Sequence, residues 1–401
     1  MRGRTAIVAI ACAGLVLGAG LTLALQTAAE APTLPSRAET IRVSGPAAPS
    51  TFLVWVPRGL PAGFARTVGA MDKVAATTVV AEDDVWLRRS WSAAGELVDD
   101  PPATYRIPID AAAVDPETFA AFVPVADRAR IAALAQGEAI LGATSAGLRG
   151  LGPGAVVAIG HRRIRIAAVL PDEMVGAAEL VVSRRTGARI GIAHDRYFLV
   201  QPAAERRMTA PAFRARLQPM LPTALGVNRA VQVRAPGQTP FFRAGDAVLP
   251  PVIVKSLFGE FAARPGARPG TIEIDPAWTA SHLETTHLPV LGRVTCNVGI
   301  IEQLRGAMRK VEAAGLTSAV RSFNGCFVPR HIGWSDENML SYHSWGIAFD
   351  LNLAVNYRGQ TPHQDPRLVR ILARWGFQWG GTWIVPDGNH FEFHRTVPVG
   401  A

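Results

Sequence analysis

The chain has 401 residues, of which 49% are hydrophobic and 18% are charged. This balance supplies enough apolar material for packed cores and excludes an intrinsically disordered chain, and the 38 glycines and 30 prolines follow no collagen-like period. The formal net charge is +9 and comes mostly from arginine, which favours acidic partners in general. Because the arginine bias accompanies abundant alanine, as in a GC-rich genome, we predict no nucleic-acid partner.

The N-terminus carries a membrane-targeting pattern. Arg2 and Arg4 precede an uncharged run of twenty residues, 6–25, which is long enough to cross a bilayer as a helix. The positive-inside rule keeps the arginines cytoplasmic and places the rest of the chain outside. We therefore predict a signal anchor at residues 1–25 that makes this a single-pass protein of the cell membrane. The alternative is a signal cleaved after Ala29 or Ala31, which would release a secreted protein.

A linker and a first module follow this segment. Residues 26–50 are rich in Ala, Pro, Ser and Thr and are typical of a linker. Residues 51–235 have the pattern of a mixed α/β module outside the cytoplasm. The predicted strands are 51–57, 74–87, 179–182, 197–200 and 230–235, with a hairpin at 154–170; helices are predicted at 61–70, from Asp115 onwards and at 203–221.

Two short motifs of this module are interpreted as structural and not functional. The acidic triplet 82–84 is predicted to be a solvent-exposed face. The glycine run 147–154 lacks the Lys-Ser/Thr ending of a phosphate-binding loop, so we predict a tight turn from a helix to a strand. The stretch 141–170 loosely resembles the extracytoplasmic domains of bacterial transporter permeases, and this resemblance implies a binding or scaffolding module. It supports an alternative function for the chain, as a cell-envelope scaffold or a transporter-associated adaptor.

Residues 236–254 are interpreted as a connection to a second domain at 255–401, which holds most of the histidines and tryptophans. This concentration of imidazole groups indicates where chemistry is expected. Cys296 and Cys326 lie in this domain on either side of a predicted helix at 300–314. Because both residues are placed outside the cell, we predict a disulfide between them. The alternative is two buried free thiols.

The segment 341–350 holds a histidine and a carboxylate in an unusual setting. Asp350 lies in a predicted buried strand at 347–353, where a carboxylate is costly unless it is paired or binds a cation. Gly346 permits a tight bend between His343 and that strand. We therefore expect His343 to return beside Asp350.

The segment 387–394 alternates polar and aromatic residues, so that His390, Glu392 and His394 share one face of a predicted strand. Two imidazoles and one carboxylate suit Zn²⁺, and three protein ligands leave a position open for catalysis. We predict His343, Asp350 and His390 as the ligands, with His394 as an alternative on the same face. Asp387, close to His390 in sequence, is the predicted catalytic base.

These residues form a pattern, Ser-x-His343-x-x-Gly-x-Ala-x-Asp350 followed by Asp387-x-x-His390-Phe-Glu, that resembles the signature of the D-alanyl-D-alanine carboxypeptidase (VanY-like) zinc peptidases. The resemblance covers roughly residues 255–396. It implies Zn²⁺ bound by His343, Asp350 and His390, with Asp387 as the base, and it favours His390 over His394. It also implies an α+β domain in which a small antiparallel sheet holds the metal, and a substrate among the stem peptides of peptidoglycan.

The segment 321–330 resembles the part of the same family that precedes the first histidine and carries a substrate-binding arginine. Such an arginine binds a peptide carboxylate or stabilises an oxyanion. Arg321 and Arg330 are both candidates for this role. A predicted helix at 366–375 ends in a cluster of tryptophans, which either line a substrate groove or pack in the core: Trp375, Trp379 and Trp383.

Taken together, the sequence predicts an exported, membrane-tethered zinc metallopeptidase that acts on peptidoglycan stem peptides, as a carboxypeptidase or an endopeptidase. Its predicted fold is α+β, with the mixed α/β module between the transmembrane segment and the peptidase domain.

Overall fold

The computed structural model describes residues 51–57, 59–203, 208–221, 230–238, 241–246 and 249–398. The predicted anchor and linker at residues 1–50 lie outside these ranges. Within them, no helix has both the length and the apolar character needed to cross a bilayer. All the described residues belong to one compact unit, and the division at 236–254 stays a prediction.

The first part of this unit is built on a nine-stranded mixed sheet. Its strands are β1 (Phe52–Trp55), β2 (Val74–Trp91), β3 (Ile107–Val114), β4 (Glu138–Gly142), β5 (Val156–Ile159), β6 (Arg162–Leu170), β7 (Leu180–Ser183), β8 (Asp195–Pro202) and β9 (Gln232–Arg234). The accompanying helices are α1 (Phe64–Gly69), α2 (Pro116–Phe119), α3 (Val125–Ala132), α4 (Ala143–Arg149), α5 (Arg184–Ile190) and α6 (Ala210–Leu217). The strands and the β5–β6 hairpin predicted for this region are confirmed.

Strand β2 organises the sheet because its 18 residues are long enough to pair with three neighbours. Residues 74–81 pair with β8, residues 81–87 with β3, and residues 87–91 with β5. From β3 the pairing continues through β7, β4 and β6 to β5, so six strands close into a ring. Alternate apolar residues of these strands pack into one core, which includes Val85, Ile109, Ile166 and Val182.

The glycine run 147–154 is a turn from a helix to a strand, as predicted. Helix α4 ends at Gly150, whose φ of 62° lies in the left-handed region that favours glycine. The predicted helix start at Asp115 is also confirmed, since its side chain accepts hydrogen bonds from the first backbone N–H groups of α2.

The prediction for the acidic triplet 82–84 is wrong. These residues lie in the middle of β2, and Glu82 is only 4% exposed. The Glu82 carboxylate lies 3.8 Å from Arg243, and Asp84 accepts a hydrogen bond from the backbone N–H of Leu340 at 2.7 Å. Burial, opposed in part by the charge of Arg243, raises the pKa of both carboxyl groups to about 7. A local charge pattern cannot reveal this environment, because the partners are far away along the chain.

The second part of the unit contains smaller antiparallel sheets. Its strands are β10 (Ala263–Pro265), β11 (Ile272–Ile274), β12 (Leu283–Leu288), β13 (Gly292–Asn297), β14 (Ala348–Asp350), β15 (Phe377–Trp379) and β16 (His390–Phe393). Its helices are α7 (Pro251–Phe258), α8 (Pro276–His282), α9 (Val298–Ala313) and α10 (Pro366–Arg374). β10 pairs with β11, β12 pairs with β13, and the third sheet has the order β14-β16-β15. The predicted α+β class and the small antiparallel sheet are confirmed.

Helix α9 shows why this region folds as it does. Ile300, Leu304, Met308 and Val311 recur at helical spacing and are all buried. The side chain of Asn297 caps the start of the helix by accepting the N–H of Gly299. The helix therefore presents one apolar face to the core of the second part.

Cys296, near the end of β13, and Cys326 are joined by a disulfide, with Cα atoms 5.3 Å apart. The predicted pairing is therefore present in the structure, and the alternative of two free thiols is not. Both residues are buried.

We expect neither Cys296 nor Cys326 to react with an alkylating reagent in unreduced, denatured full-length protein, whereas Cys12 reacts and serves as an internal control. Removing the bridge in a Cys296→Ser/Cys326→Ser variant should lower the free energy of unfolding by roughly 3–4 kcal/mol, because the bond closes a loop of about thirty residues. Mass spectrometry of the alkylated peptides and denaturant titration measure these two effects. Alkylation of both residues without a reductant would contradict the pairing.

Candidate functional site

Two of the predicted metal ligands are fixed by the pairing of β14 with β16. In the antiparallel register Asp350 is the direct partner of His390. Directly opposed residues present their side chains on the same face of the sheet. As a result Nδ1 of His390 lies 3.1 Å from Oδ1 of Asp350.

The third predicted ligand is returned to this face by a bend. His343 lies on a 3₁₀ turn, Tyr342–Trp345, which ends at Gly346 with a φ of 66°. A Cβ atom at Gly346 would lie 2.9 Å from the backbone N of Asn297, so both the conformation and the space favour glycine. The bend predicted from Gly346 is therefore present. It places Nε2 of His343 within 3.3 Å of the Asp350 carboxylate.

Hydrogen bonds orient the two imidazole rings. Nδ1 of His343 lies 3.0 Å from the carbonyl oxygen of Cys326, so the Nδ1–H donates there and Nε2 keeps its lone pair for the cluster. On the other ring, Nε2 of His390 lies 3.3 Å from Oε2 of Glu392, and Nδ1 faces Asp350. Glu392 is buried and holds the His390 ring in place.

The cluster fits a divalent metal ion. One potential ligand atom from each of His343, Asp350 and His390 lies within 4.8 Å of the other two. Two imidazole nitrogens and one carboxylate oxygen form a donor set that zinc accepts. His394, the alternative ligand, follows the end of β16 and is exposed, so the structure brings His390 and not His394 into the group.

The electrostatics of the cluster also suit a cation. Burial alone would raise the pKa of Asp350, but hydrogen bonds and charge from His343 and His390 outweigh it and hold that pKa well below its usual range. Burial opposes a proton on His390, but the Asp350 and Glu392 carboxylates outweigh it and raise its pKa to about 10. The carboxylates of Asp350 and Glu392 therefore favour a positive charge in the space between them and the His390 ring.

Asp387, the predicted base, lies in the turn before β16. Its Oδ1 accepts a hydrogen bond from the side chain of Asn389 at 2.7 Å, and its Oδ2 lies 3.8 Å from Arg358. Burial raises the pKa of Asp387, although the positive charges of His390 and Arg358 act against this. A carboxylate with a raised pKa is suited to accept a proton from water.

The sequence predicts no role for Arg358. It is one of many arginines in this chain, and no local motif marks it. Its position beside Asp387 follows from the way the segment after β14 returns towards β16, which sequence spacing does not show.

The two candidate substrate-binding arginines have different surroundings. Arg330 is half-buried, and its guanidinium lies over the ring of Trp334, 5.0 Å from the centroid. Burial lowers the pKa of Arg330, while the negative charges of Asp350 and Asp387 act to raise it, so its charge is coupled to the site. Arg321 is exposed. The structure therefore favours Arg330.

The three tryptophans of the C-terminal cluster are all half-buried and have separate roles. Trp375 packs on helix α9, since a Cβ added at Gly306 would meet its ring at 2.2 Å. The indole N–H of Trp379 donates to the carbonyl of Gly388 at 2.8 Å. The ring of Trp383 lies 5.2 Å from that of His390, centroid to centroid, and so contacts the site.

Comparison with known proteins bears on this region. Residues 335–393 match the family model described as D-alanyl-D-alanine carboxypeptidase. The match includes His343, Asp350, Asp387 and His390, and supports a peptidase-type hydrolase. It covers a minor part of the chain. No curated protein matches the chain by sequence.

Solved structures give a distant likeness. The periplasmic region of MacB from Actinobacillus actinomycetemcomitans is 12% identical, with a TM-score of 0.32, over 49% of this chain and 92% of that one. The extracellular domain of the ABC-type transporter YknZ from Gram-positive bacteria is 13% identical, with a TM-score of 0.31, over 46% of this chain and 99% of that one. Similarity at this level carries no argument about function.

Proposed function

We propose that residues 255–401 form a zinc peptidase domain that hydrolyses peptide bonds in the stem peptides of peptidoglycan, as a carboxypeptidase or an endopeptidase. The observation that carries this proposal is the convergence of His343, Asp350 and His390, with ligand atoms within 4.8 Å of one another, inside the segment that matches D-alanyl-D-alanine carboxypeptidases. When bound, a zinc ion supplies the Lewis acidity that polarises a carbonyl group and lowers the pKa of water.

Asp387 is the proposed general base. It accepts a proton from the attacking water and returns it to the leaving amine. Asn389 and Arg358 hold its two carboxylate oxygens, at 2.7 Å and 3.8 Å. These two contacts restrain the orientation of the carboxylate.

Arg330 is the proposed substrate-binding residue. Among the described residues, no carboxylate forms an ion pair with its half-buried guanidinium within 4.0 Å. Such a guanidinium can bind the carboxylate of a peptide or the oxyanion that develops during hydrolysis. The intact ligand set and this arginine favour an enzyme over the scaffold or adaptor alternative.

Purified muropeptides test the proposal. The exported portion is loaded with Zn²⁺ and incubated with them, and the product masses are read. Release of a terminal alanine identifies a carboxypeptidase, whereas cleavage within the stem or a cross-link identifies an endopeptidase. Absence of any product from a protein that carries stoichiometric zinc would contradict the proposed activity.

We also propose that residues 6–25 anchor the protein in the membrane with its remaining residues outside the cytoplasm, close to the peptidoglycan. The full-length chain is then expected in the membrane fraction with its N-terminal segment intact. Any chain of 25 residues with random-coil dimensions has an end-to-end distance of roughly 25–30 Å, so the proposal puts the peptidase within reach of the bilayer. Membrane fractionation with N-terminal sequencing checks this, and a soluble mature chain that begins near residue 30 would show a cleaved signal instead.

A further inference from the structure

The segment 335–342, which leads directly into the turn of His343, is held by strands of the nine-stranded sheet. Asp84 on β2 accepts a hydrogen bond from the N–H of Leu340, with 2.7 Å between Oδ2 and N. Arg196 on β8 donates to the carbonyl oxygen of Glu337 at 3.1 Å. These contacts join residues 256 and 141 positions apart, so the sheet supports the segment in addition to local hydrogen bonds such as that from Asn338 to the carbonyl of Ser335.

The two residues that hold this segment are themselves fixed. Nη2 of Arg196 lies 2.7 Å from Oδ1 of Asp83, and its Nε donates to the carbonyl of Glu82 at 2.9 Å. Asp84 lies directly opposite Asp110 of β3 on two paired strands of the closed ring, and its side chain is on the face away from the ring's apolar core, which holds its neighbour Val85. Both residues therefore act from paired strands of the sheet.

Displacement of Leu340 would be transmitted to the ligand. The next residue, Ser341, donates its N–H to the carbonyl of Arg330 at 3.0 Å. The hydroxyl of Ser344 lies 3.1 Å from that carbonyl and 3.0 Å from the N–H of Arg330. His343 lies between these two serines in the chain. The hydrogen bonds of the serines therefore connect His343 and Leu340 to the backbone of Arg330.

The segment that carries the proposed base is supported in the same way. The N–H of Ile384, three residues before Asp387, donates to Asp246 at 3.2 Å. The side chain of Ile384 packs against an apolar core of the nine-stranded sheet. The hydroxyl of Tyr342 donates to the carbonyl of Leu249. Residues before 255 thus contact both segments that carry the site.

We propose that Asp84 is a positioning residue of the peptidase site, and that the module at 51–235 is a structural part of that site. The carboxylate acts through the N–H of Leu340 and so sets the place of His343 relative to Asp350 and His390. Its effect on hydrolysis rests on the proposed function, whereas its effect on metal binding and on the order of residues 341–345 does not.

The test compares Asp84→Leu with Asp84→Asn in the full-length protein. Leucine has a similar length but cannot accept the N–H of Leu340, whereas the amide oxygen of asparagine can. The control is Asp100→Leu, which removes an exposed carboxylate that pairs with Arg89 at 2.7 Å. The readouts are amide hydrogen exchange across residues 341–345 and Zn²⁺ affinity by competition with a chromogenic chelator, with kcat/KM measured alongside.

We expect Asp84→Leu to speed exchange across 341–345 and to weaken Zn²⁺ binding by about tenfold or more, since residues that orient metal ligands typically contribute this much. Asp84→Asn should stay within about threefold of the wild type, because the acceptor is kept. If Asp84→Leu and Asp84→Asn showed the same loss of Zn²⁺ affinity and the same faster exchange, the cause would be the lost charge and not the lost acceptor for Leu340. That result would overturn the proposal. Equal behaviour of Asp84→Leu and Asp100→Leu would overturn it too.

If Asp84→Leu fails to fold, Asp84→Ala removes the same acceptor for the N–H of Leu340 with a smaller side chain and is measured in the same way. Unchanged exchange and unchanged Zn²⁺ affinity in that variant would overturn the proposal. A wild-type protein that binds Zn²⁺ but cleaves no muropeptide would contradict the proposed function alone, and the exchange and affinity results would still decide the role of Asp84.

Discussion

Asp387→Asn is expected to keep its bound zinc and to lower kcat for muropeptide hydrolysis by about 100- to 10,000-fold, the usual contribution of a general base. An amide has nearly the same shape as the carboxylate but cannot accept the proton of the attacking water. Asp387 is not one of the three grouped ligand residues, so metal content should not change. Metal analysis and single-turnover kinetics on the same preparation separate these two effects.

The matched control for this variant is Asp100→Asn, which makes the same chemical change at an exposed ion pair with Arg89. It should retain wild-type turnover. Turnover near that of the wild type in Asp387→Asn would show that another group serves as the base, and Glu392 beside His390 would then be the next residue to replace.

His343→Ala should lose most of the bound metal. The change leaves two ligands of the three and opens a gap in a fully buried position, so a site that depends on three protein donors no longer encloses the ion. We expect the metal content after dialysis to fall from about one Zn²⁺ per chain to a small fraction, measured by plasma mass spectrometry.

His394→Ala is the matched control for this ligand. His394 is exposed and lies just after β16, so its removal should leave the metal content unchanged. Circular dichroism verifies that both variants stay folded. Stoichiometric zinc in His343→Ala, or loss of zinc in His394→Ala alone, would contradict the ligand assignment.

Local patterns in the sequence predict much of this site. The alternation around His390 indicates a strand with polar residues on one face, and the glycine at 346 indicates the bend that returns His343 to Asp350. Both features depend on residues within ten positions of one another, where backbone geometry fixes side-chain direction. The structure brings these three residues together, and their role as metal ligands stays a prediction.

Other features depend on contacts that no local pattern encodes. A period of two places His390 and His394 on the same face, and only the end of β16 separates them. Arg321 and Arg330 have similar sequence surroundings, and only tertiary packing makes Arg330 half-buried. The triplet 82–84 resembles a surface charge cluster until β2 closes into its ring of strands and Arg243 and Leu340 reach it from distant parts of the chain.

The pairing of Asp350 with His390 makes the candidate site sensitive to chain length as well as to side-chain chemistry. Substitution of one ligand leaves the other two in place, on a sheet whose opposite face is closed by the stacked rings of Phe349 and Phe391, 5.5 Å apart. A deletion or insertion of a single residue within β14 would turn the strand over. The carboxylate of Asp350 would then face the aromatic layer and Phe349 would face the candidate metal site, so a change of one residue in length would disturb the packing and the proposed ligand set together.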